Sequence, residues 1–379
     1  MTTLRVIVDQ LVDDVPGGIG RYTEELTRQL IATAPAGCDV EGIVSSVPQQ
    51  ALDALNRRLP GLAHLHKAPL ARRELALAWQ YGVRVPLGDG GMIHAPSLLA
   101  PMRSHDRLDT GDQLAVTIHD VVPWTHPETL KPHGVAWHKS MAKRAQRHAD
   151  AIVVPTHAVG AQLEEIFKLG DRVRVIGGAP SSALRLPADE DGRAARLELP
   201  PRYVLSIGTA EPRKGLAPLI QSLGLLEDRE LPLLVVGPQG WGDISIQGLA
   251  AAAGLPEGRV QTFGVLSDED LAVVLRRATV FVYPSLAEGF GLPLVEAFQF
   301  GTPVIHSDDP ALVEVGGGAG LVVERNDAVG YPERLAAAIS RVITDRTLSD
   351  RLRVQAADRA RAFSWRDSAE RVWQLHADL

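Results

Sequence analysis

Short apolar runs rich in valine and isoleucine recur at 5–9, 40–45, 92–95, 114–119, 151–155 and 172–176. Amphipathic stretches fall between several of them. The first, over 20–32, sets Tyr22, Leu26 and Leu30 four residues apart on one helical face. The runs lack strict apolar–polar alternation, which fits strands covered on both faces. Strands separated by helical segments predict a parallel sheet with helices on either side. The pattern then pauses. Residues 180–201 contain several Pro, Asp, Glu and Gly with little strand or core-helix signal, and read as a linker. It restarts at 203–208, 231–237, 260–264, 279–284, 303–306 and 320–323. The simplest reading is an α/β protein of two Rossmann-like, doubly wound parallel-sheet domains, over 1–180 and 200–362. Ligands of such domains bind outside the C-terminal ends of the strands, so two domains facing each other would take a ligand in the cleft between them.

Composition narrows the classes. The chain has 379 residues, 45% hydrophobic and 22% charged, with a net charge of −7. That suits a globular protein of about two domains at roughly 150 residues each. The single cysteine, Cys38, excludes an intramolecular disulfide and a cysteine-cluster metal site. No apolar stretch reaches the roughly 18 residues a membrane span needs. The segment MTTLRVIVDQ opens on a strand-like run without a signal-peptide profile, so the expected compartment is the cytoplasm. Net acidity without a basic stripe argues against nucleic acid as a partner. Only six of the 39 basic residues are lysines, and Lys214 is the only one after Lys168.

Three segments just after strands carry candidate chemistry. Val15-Pro16-Gly17-Gly18-Ile19-Gly20 leads into a helix, where glycines let backbone N–H groups approach an anion. Gly208-Thr209-Ala210-Glu211-Pro212-Arg213-Lys214-Gly215 sets two cations side by side at a strand-to-helix junction, suited to a diphosphate. Glu288-Gly289-Phe290-Gly291-Leu292-Pro293-Leu294-Val295-Glu296 follows the strand ending at Tyr283-Pro284-Ser285. Its two carboxylates, eight residues apart, suit vicinal diols. The amides of Phe290, Gly291 and Leu292 sit where a helix start would face an anion. Asp308-Asp309 reads as a turn rather than a metal site, and the histidines have no metal-ligand spacing.

These motifs, with Phe363-Ser364-Trp365 near the C-terminus, resemble glycosyltransferase family 4 from the first strand to the last helix. The resemblance implies a GT-B fold, with the last segment, 363–379, packing back on the first domain. It implies a retaining transferase that moves a hexose from a nucleotide-sugar donor to a sugar, glycan or glycolipid acceptor. The variant Thr-Ala-Glu-Pro-Arg-Lys is similar to a bacterial branch rich in mannosyl- and rhamnosyltransferases of surface polysaccharide assembly. GDP-mannose is the first expected donor and a UDP-sugar the second, with no metal needed for the chemistry.

Residue by residue, the resemblance implies that Glu296 binds the donor ribose and Glu288 the transferred sugar. Phe290, Gly291 and Leu292 would contact sugar and phosphate. Arg213 and Lys214, beside Gly208 and Thr209, would hold the diphosphate as it leaves. Gly18 would let the first loop approach the phosphates, and His119 would lie near the anomeric centre. Some relatives carry arginine at the position of Thr209, so Arg213 would here supply the guanidinium.

Acceptor features are fewer. The stretch from Arg57-Arg58 through His64, His66, Lys67 and Arg72-Arg73 to Trp79-Gln80-Tyr81 mixes cations with aromatic residues. A solvated helix and loop is the ordinary reading; peripheral contact with the inner membrane face is the alternative. A nicotinamide oxidoreductase would need a third glycine where Arg21-Tyr22-Thr23 stands. A sugar-nucleotide epimerase or a non-catalytic protein of the same fold are the remaining rivals.

Overall fold

The computed structural model describes residues 2–13, 17–87, 91–238 and 245–379. The chain forms two compact units. One comprises residues up to Gly178 together with Ser364–Leu379, and the other Ala179–Phe363.

The first unit is built on a seven-stranded sheet of β1 (Thr2–Ile7), β2 (Cys38–Val44), β3 (His64–Lys67), β4 (Met92–Ala95), β5 (Gln113–Thr117), β6 (Ala151–Val154) and β7 (Val173–Val175). Their order is β3-β2-β1-β4-β5-β6-β7, and every pairing is parallel. β3 is a strand that the apolar pattern does not reveal. Its sequence His-Leu-His-Lys has one apolar residue, as an edge strand can. Charge holds it instead: His66 hydrogen-bonds the Glu41 carboxylate of β2 at 2.7 Å, and Arg5 Nε of β1 donates to the same oxygen at 3.1 Å. The terminal helix Trp365–Asp378 packs on the helix Gly18–Ala32, where Trp373 Nε1 donates to the Leu30 carbonyl at 3.2 Å. Ser368 Oγ donates to the Gly177 carbonyl at 2.8 Å.

The second unit carries a six-stranded sheet of β8 (Val204–Ile207), β9 (Leu233–Val236), β10 (Val260–Thr262), β11 (Val280–Tyr283), β12 (Val304–Ser307) and β13 (Leu321–Val323). Their order is β10-β9-β8-β11-β12-β13, again all parallel. Alternate residues of each strand feed opposite faces. Val280 and Val282 join one core cluster, with Leu219 and Ile339, while Phe281 and Tyr283 join the other, with Leu294 and Phe298. Burial on both faces explains why the β9 and β11 runs, Leu-Leu-Val-Val and Val-Phe-Val-Tyr, are continuously apolar.

The stretch 180–201 is not a bare linker. It belongs to the second unit and contains the helix Glu190–Arg196. Leu184 is fully buried, and its carbonyl accepts from Gln299 Nε2 at 2.8 Å. Arg193 pairs with Asp270 at 2.8 Å and Arg277 with Glu190 at 3.0 Å. Ion pairs fasten this segment alongside Leu184, Leu197 and Leu199, which pack in the core without a regular helical spacing.

Candidate functional site

β8 and β11 are neighbours at the point where the strand order of the second sheet reverses, with β9 on one side and β12 on the other. That reversal opens a crevice outside their C-terminal ends. The loops after these strands meet there. The β8 loop passes a short turn over Pro212–Lys214 and then Gly215, which has φ +67° and starts the helix Leu216–Leu223. A Cβ on Gly215 would lie 2.1 Å from the Pro284 carbonyl oxygen of the β11 loop. Glycine therefore permits both the left-handed turn and the close approach. Leu286 N–H donates to the Arg213 carbonyl at 2.7 Å and joins the two loops.

This contact brings Arg213 and Lys214 onto Glu288. Lys214 Nζ lies 2.5 Å from Glu288 Oε1, and Arg213 Nη1 lies 3.7 Å from Oε2. Tyr283 Oη donates to Oε1 at 2.8 Å and Ser285 Oγ at 2.7 Å. Lys214 Nζ also donates to Tyr283 Oη at 3.1 Å, and Arg213 Nε to Glu211 at 3.0 Å. The group is two cations and two carboxylates, with side-chain exposures between 9% and 18%. Burial alone would raise the Glu288 pKa. The two cations and the hydroxyl donors outweigh it and hold the carboxyl down to about 2. Burial pulls Lys214 below the usual lysine range despite the same ion pair.

The proton inventory leaves room for a ligand. An ammonium has three N–H groups, and Lys214 uses two, on Glu288 and Tyr283. Glu288 Oε1 receives three donors, whereas Oε2 has no hydrogen bond among the described residues. The carboxylate is thus hydrogen-bonded through one oxygen, while the other faces the Arg213 guanidinium at 3.7 Å.

Gly291, with φ +85°, precedes the helix Leu292–Gln299, whose start has no side-chain cap. A Cβ there would meet Leu312 at 2.6 Å. Glu296 lies on this helix and is 1% exposed. Phe290 is half-buried, with its ring edge-on to Phe363 at 5.9 Å. Gly208 and Thr209 directly follow β8, and a Cβ on Gly208 would touch the Lys214 stem at 3.6 Å.

Gly18 and His119 belong to the first unit. Gly18 is exposed and opens the helix Gly18–Ala32, which also lacks a side-chain cap; Val15 and Pro16 of that loop lie outside the described residues. His119 follows β5. Its Nε2 meets the Pro96 carbonyl at 2.7 Å, so that nitrogen carries the proton and Nδ1 is the acceptor. Burial lowers its pKa, leaving the ring neutral. Tyr22 packs edge-on against it, with ring centroids 4.8 Å apart. His119 lines a pocket of about 290 Å3 with Gln10, Arg72, Ser97, Trp124 and Trp137. The pocket sits beyond β1, β4 and β5, where the order of the first sheet reverses.

Residues 16–179 match the family described as Glycosyltransferase Family 4, and residues 188–361 match Glycosyl transferases group 1. The chain belongs to these glycosyltransferases. It is 29% identical over 364 residues to O-antigen chain mannosyltransferase B of Escherichia coli, covering 92% of each chain. It is 29% identical over 387 residues to phosphatidyl-myo-inositol mannosyltransferase of Mycobacterium leprae, covering 96% of this chain and 93% of that one. Anabaena Alr3699/HepE, solved with UDP and glucose, superposes with a TM-score of 0.73 at 16% identity over the whole of both chains. The fold is GT-B.

In this glycosyltransferase several residues that support the site carry no assigned role in the sequence motifs. Tyr283, Ser285 and Glu211 support the charge cluster, yet each reads locally as a strand end or loop residue. Only the parity of Tyr283 within β11, on the face shared with Phe281, hinted at its direction. Asp309 caps the helix Pro310–Gly316 by accepting from Ala311 and Leu312, and Asp308 pairs with Arg325 at 2.9 Å. The cation-rich stretch 57–81 is only partly a surface. Arg58 pairs with Glu24, Arg72 pairs with Asp9 and Asp13, and Trp79 is 1% exposed, while Leu77 and Tyr81 are exposed. Among the described residues no helix is long and apolar enough to cross a membrane.

Proposed function

We propose that this glycosyltransferase moves a mannosyl group, with retention at C1, from a nucleotide-mannose to a hydroxyl of a glycan or glycolipid in bacterial surface-polysaccharide assembly. GDP-mannose is the favoured donor. The names of the two mannosyltransferases it resembles support the sugar, and the half-anchored Glu288 beside Lys214 carries the assignment of the site. The UDP complex of the Anabaena protein makes a UDP-sugar the second reading.

In this reading Glu288 Oε2 accepts hydroxyl protons of the transferred sugar, and Glu296 accepts those of the ribose. As the C1–O bond breaks, negative charge grows on the diphosphate. The uncommitted Lys214 proton, Arg213 and the uncapped helix start at Gly291–Leu292 meet that charge as it forms, which is where stabilisation accelerates a reaction. Neutral His119 accepts a sugar hydroxyl at Nδ1. Gly18 leaves the first helix start open to an anion, and Gly208 and Thr209 border the diphosphate. The acceptor hydroxyl attacks from the face the diphosphate leaves, and its proton passes to a diphosphate oxygen. The 290 Å3 pocket with its two tryptophans offers apolar faces to an acceptor ring.

The test is a donor panel. GDP-mannose, UDP-glucose and other nucleotide sugars are assayed for hydrolysis and transfer, with the anomeric configuration of the product read by NMR. Turnover of GDP-mannose with an axial product bond is expected. Use of a UDP-sugar alone overturns the donor, and a glycosyl-enzyme adduct trapped by mass spectrometry overturns the mechanism.

A further inference from the structure

We propose that Arg325 is a positioning residue that clamps the segment carrying Glu288, through the Leu286 carbonyl, to the Asp308–Asp309 corner. The proposal rests on the reading of Glu288 as the acid that holds the transferred sugar.

The segment 284–287 joins β11 to Glu288, and each of its four carbonyls is held by a different side chain. Tyr331 Oη donates to Pro284 O at 3.0 Å, and Ser307 Oγ to Ser285 O at 2.5 Å. Arg325 Nη1 donates to Leu286 O, and Arg213 Nη1 to Ala287 O at 3.3 Å.

Arg325 differs from the other three holders. Tyr331 and Ser307 are neutral, and Arg213 belongs to the charge cluster itself. Arg325 follows β13 and is 23% exposed, and it ties three groups at once. Its Nε lies 2.9 Å from Asp308 Oδ1, and its Nη2 lies 3.5 Å from Asp309 Oδ2. Its backbone N–H also donates to Asp308 Oδ1, at 3.1 Å. Asp309 is 4% exposed and caps the helix Pro310–Gly316, so the corner is fixed by the helix start. The guanidinium thus couples the ends of β12 and β13 to the segment after β11. Its planar fork of donors lets one side chain span a carbonyl and two carboxylates, which a lysine cannot do. Arg325 also bears on the charge of the corner: it lowers the Asp309 pKa, against burial and against the repulsion of Glu288. The clamp therefore keeps a carboxylate near Glu288 compensated, as well as fixing the loop.

The experiment compares Arg325→Met, Arg325→Lys and Glu288→Gln in the full chain. Hydrogen exchange of the peptide covering 284–291 reads the clamp without substrate. Donor turnover with GDP-mannose and UDP-glucose in parallel reads its consequence. In Arg325→Met, exchange rises across 284–291 while the core strands stay protected. Its kcat falls about tenfold to a hundredfold, the scale of a small misplacement of a catalytic group, with KM little changed. Arg325→Lys keeps the charge, folds more readily, and lies between Arg325→Met and the parent. On a Glu288→Gln background, Arg325→Met costs nothing further in kcat. Unchanged exchange at 284–291 in both Arg325 variants overturns the clamp. A looser segment with parental kcat, while Glu288→Gln is impaired, overturns the positioning role. Should Glu288→Gln itself keep full kcat, the reading of Glu288 falls, and the exchange result alone decides the clamp.

Discussion

The buried Lys214–Glu288 pair makes a quantitative prediction. Its nitrogen and oxygen are 2.5 Å apart at 13% and 9% side-chain exposure. With charge centres roughly 4 Å apart and an effective dielectric near 20, their attraction is about 4 kcal/mol. Desolvation of both groups opposes this, so the pair's net value is smaller, but removing one partner strands the other. In Lys214→Met, Glu288 keeps Arg213 at 3.7 Å and the hydroxyls of Tyr283 and Ser285, so the loss is partial, about 3 kcal/mol. Glu288→Gln leaves Lys214 and Arg213 adjacent, with Glu211 to offset them, at a similar cost. The double variant removes the pair together and costs about 3 kcal/mol again rather than the sum, a coupling of about 3 kcal/mol.

Urea denaturation of the four proteins reads this directly. Melting temperatures follow, each single change lowering Tm by roughly 6–12 °C. The pH dependence supplies a second check. Glu288 is held to about 2 against an ordinary 4.5, so the unfolded chain binds more protons between those values. The pair's contribution is present above pH 4.5 and is lost as pH falls through about 2, and Glu288→Gln flattens that slope. Additive single changes, within about 0.5 kcal/mol, would refute the claim that the two groups act as one buried pair. They would equally remove the reason for a lysine here to keep an open proton beside an anchored carboxylate.

Three further outcomes are expected. Glu296→Gln weakens GDP or UDP binding about tenfold by calorimetry, the loss of roughly one charged hydrogen bond, and parental affinity sinks its ribose role. Gly215→Ala drives a Cβ to 2.1 Å from the Pro284 carbonyl at φ +67°, so it lowers stability by more than about 3 kcal/mol; a melt within 2 °C of the parent, which corresponds to roughly 1 kcal/mol or less, shows that the loops can part. Burial raises Asp309 to about 6, so between its ordinary 3.8 and about 6 the folded state binds more protons and stability declines as pH rises. Asp309→Asn retains a helix cap and removes that decline in pH-dependent melts, and an unaltered slope assigns it elsewhere.

How far the sequence carried the structure follows from the range of each interaction. The continuous apolar runs of β9 and β11 are legible because a strand buried on both faces favours apolar residues at every position, a strictly local demand. Gly215 and Gly291 stand at the two loop ends for an equally local reason, since their φ values of +67° and +85° exclude most side chains. Those anchors suffice to place Arg213, Lys214 and Glu288 just after strands and Glu296 in the helix that follows. β3 was hidden because its only apolar residue is Leu65; what pairs it is Glu41, 25 positions from His66. The segment 180–201 was hidden likewise, because its partners Asp270, Arg277 and Gln299 lie more than 70 residues away.

The same logic separates the two halves of the charge cluster. Its members show in the sequence, but its geometry does not. A lysine and a glutamate 74 positions apart carry no mark of being 2.5 Å apart. That distance depends on β8 and β11 being neighbours, on Gly215 letting one loop lie on the other, and on four side chains gripping 284–287. On the proposed reading, the motif residues of this glycosyltransferase do not make its site by themselves. A relative could keep Arg213, Lys214 and Glu288 and still misplace them if it lost Ser307, Tyr331 or Arg325. Substitutions at those three supporting positions should consequently lower turnover before they lower nucleotide affinity, because they loosen the carboxylate while leaving Glu296 and the helix Leu292–Gln299 in place.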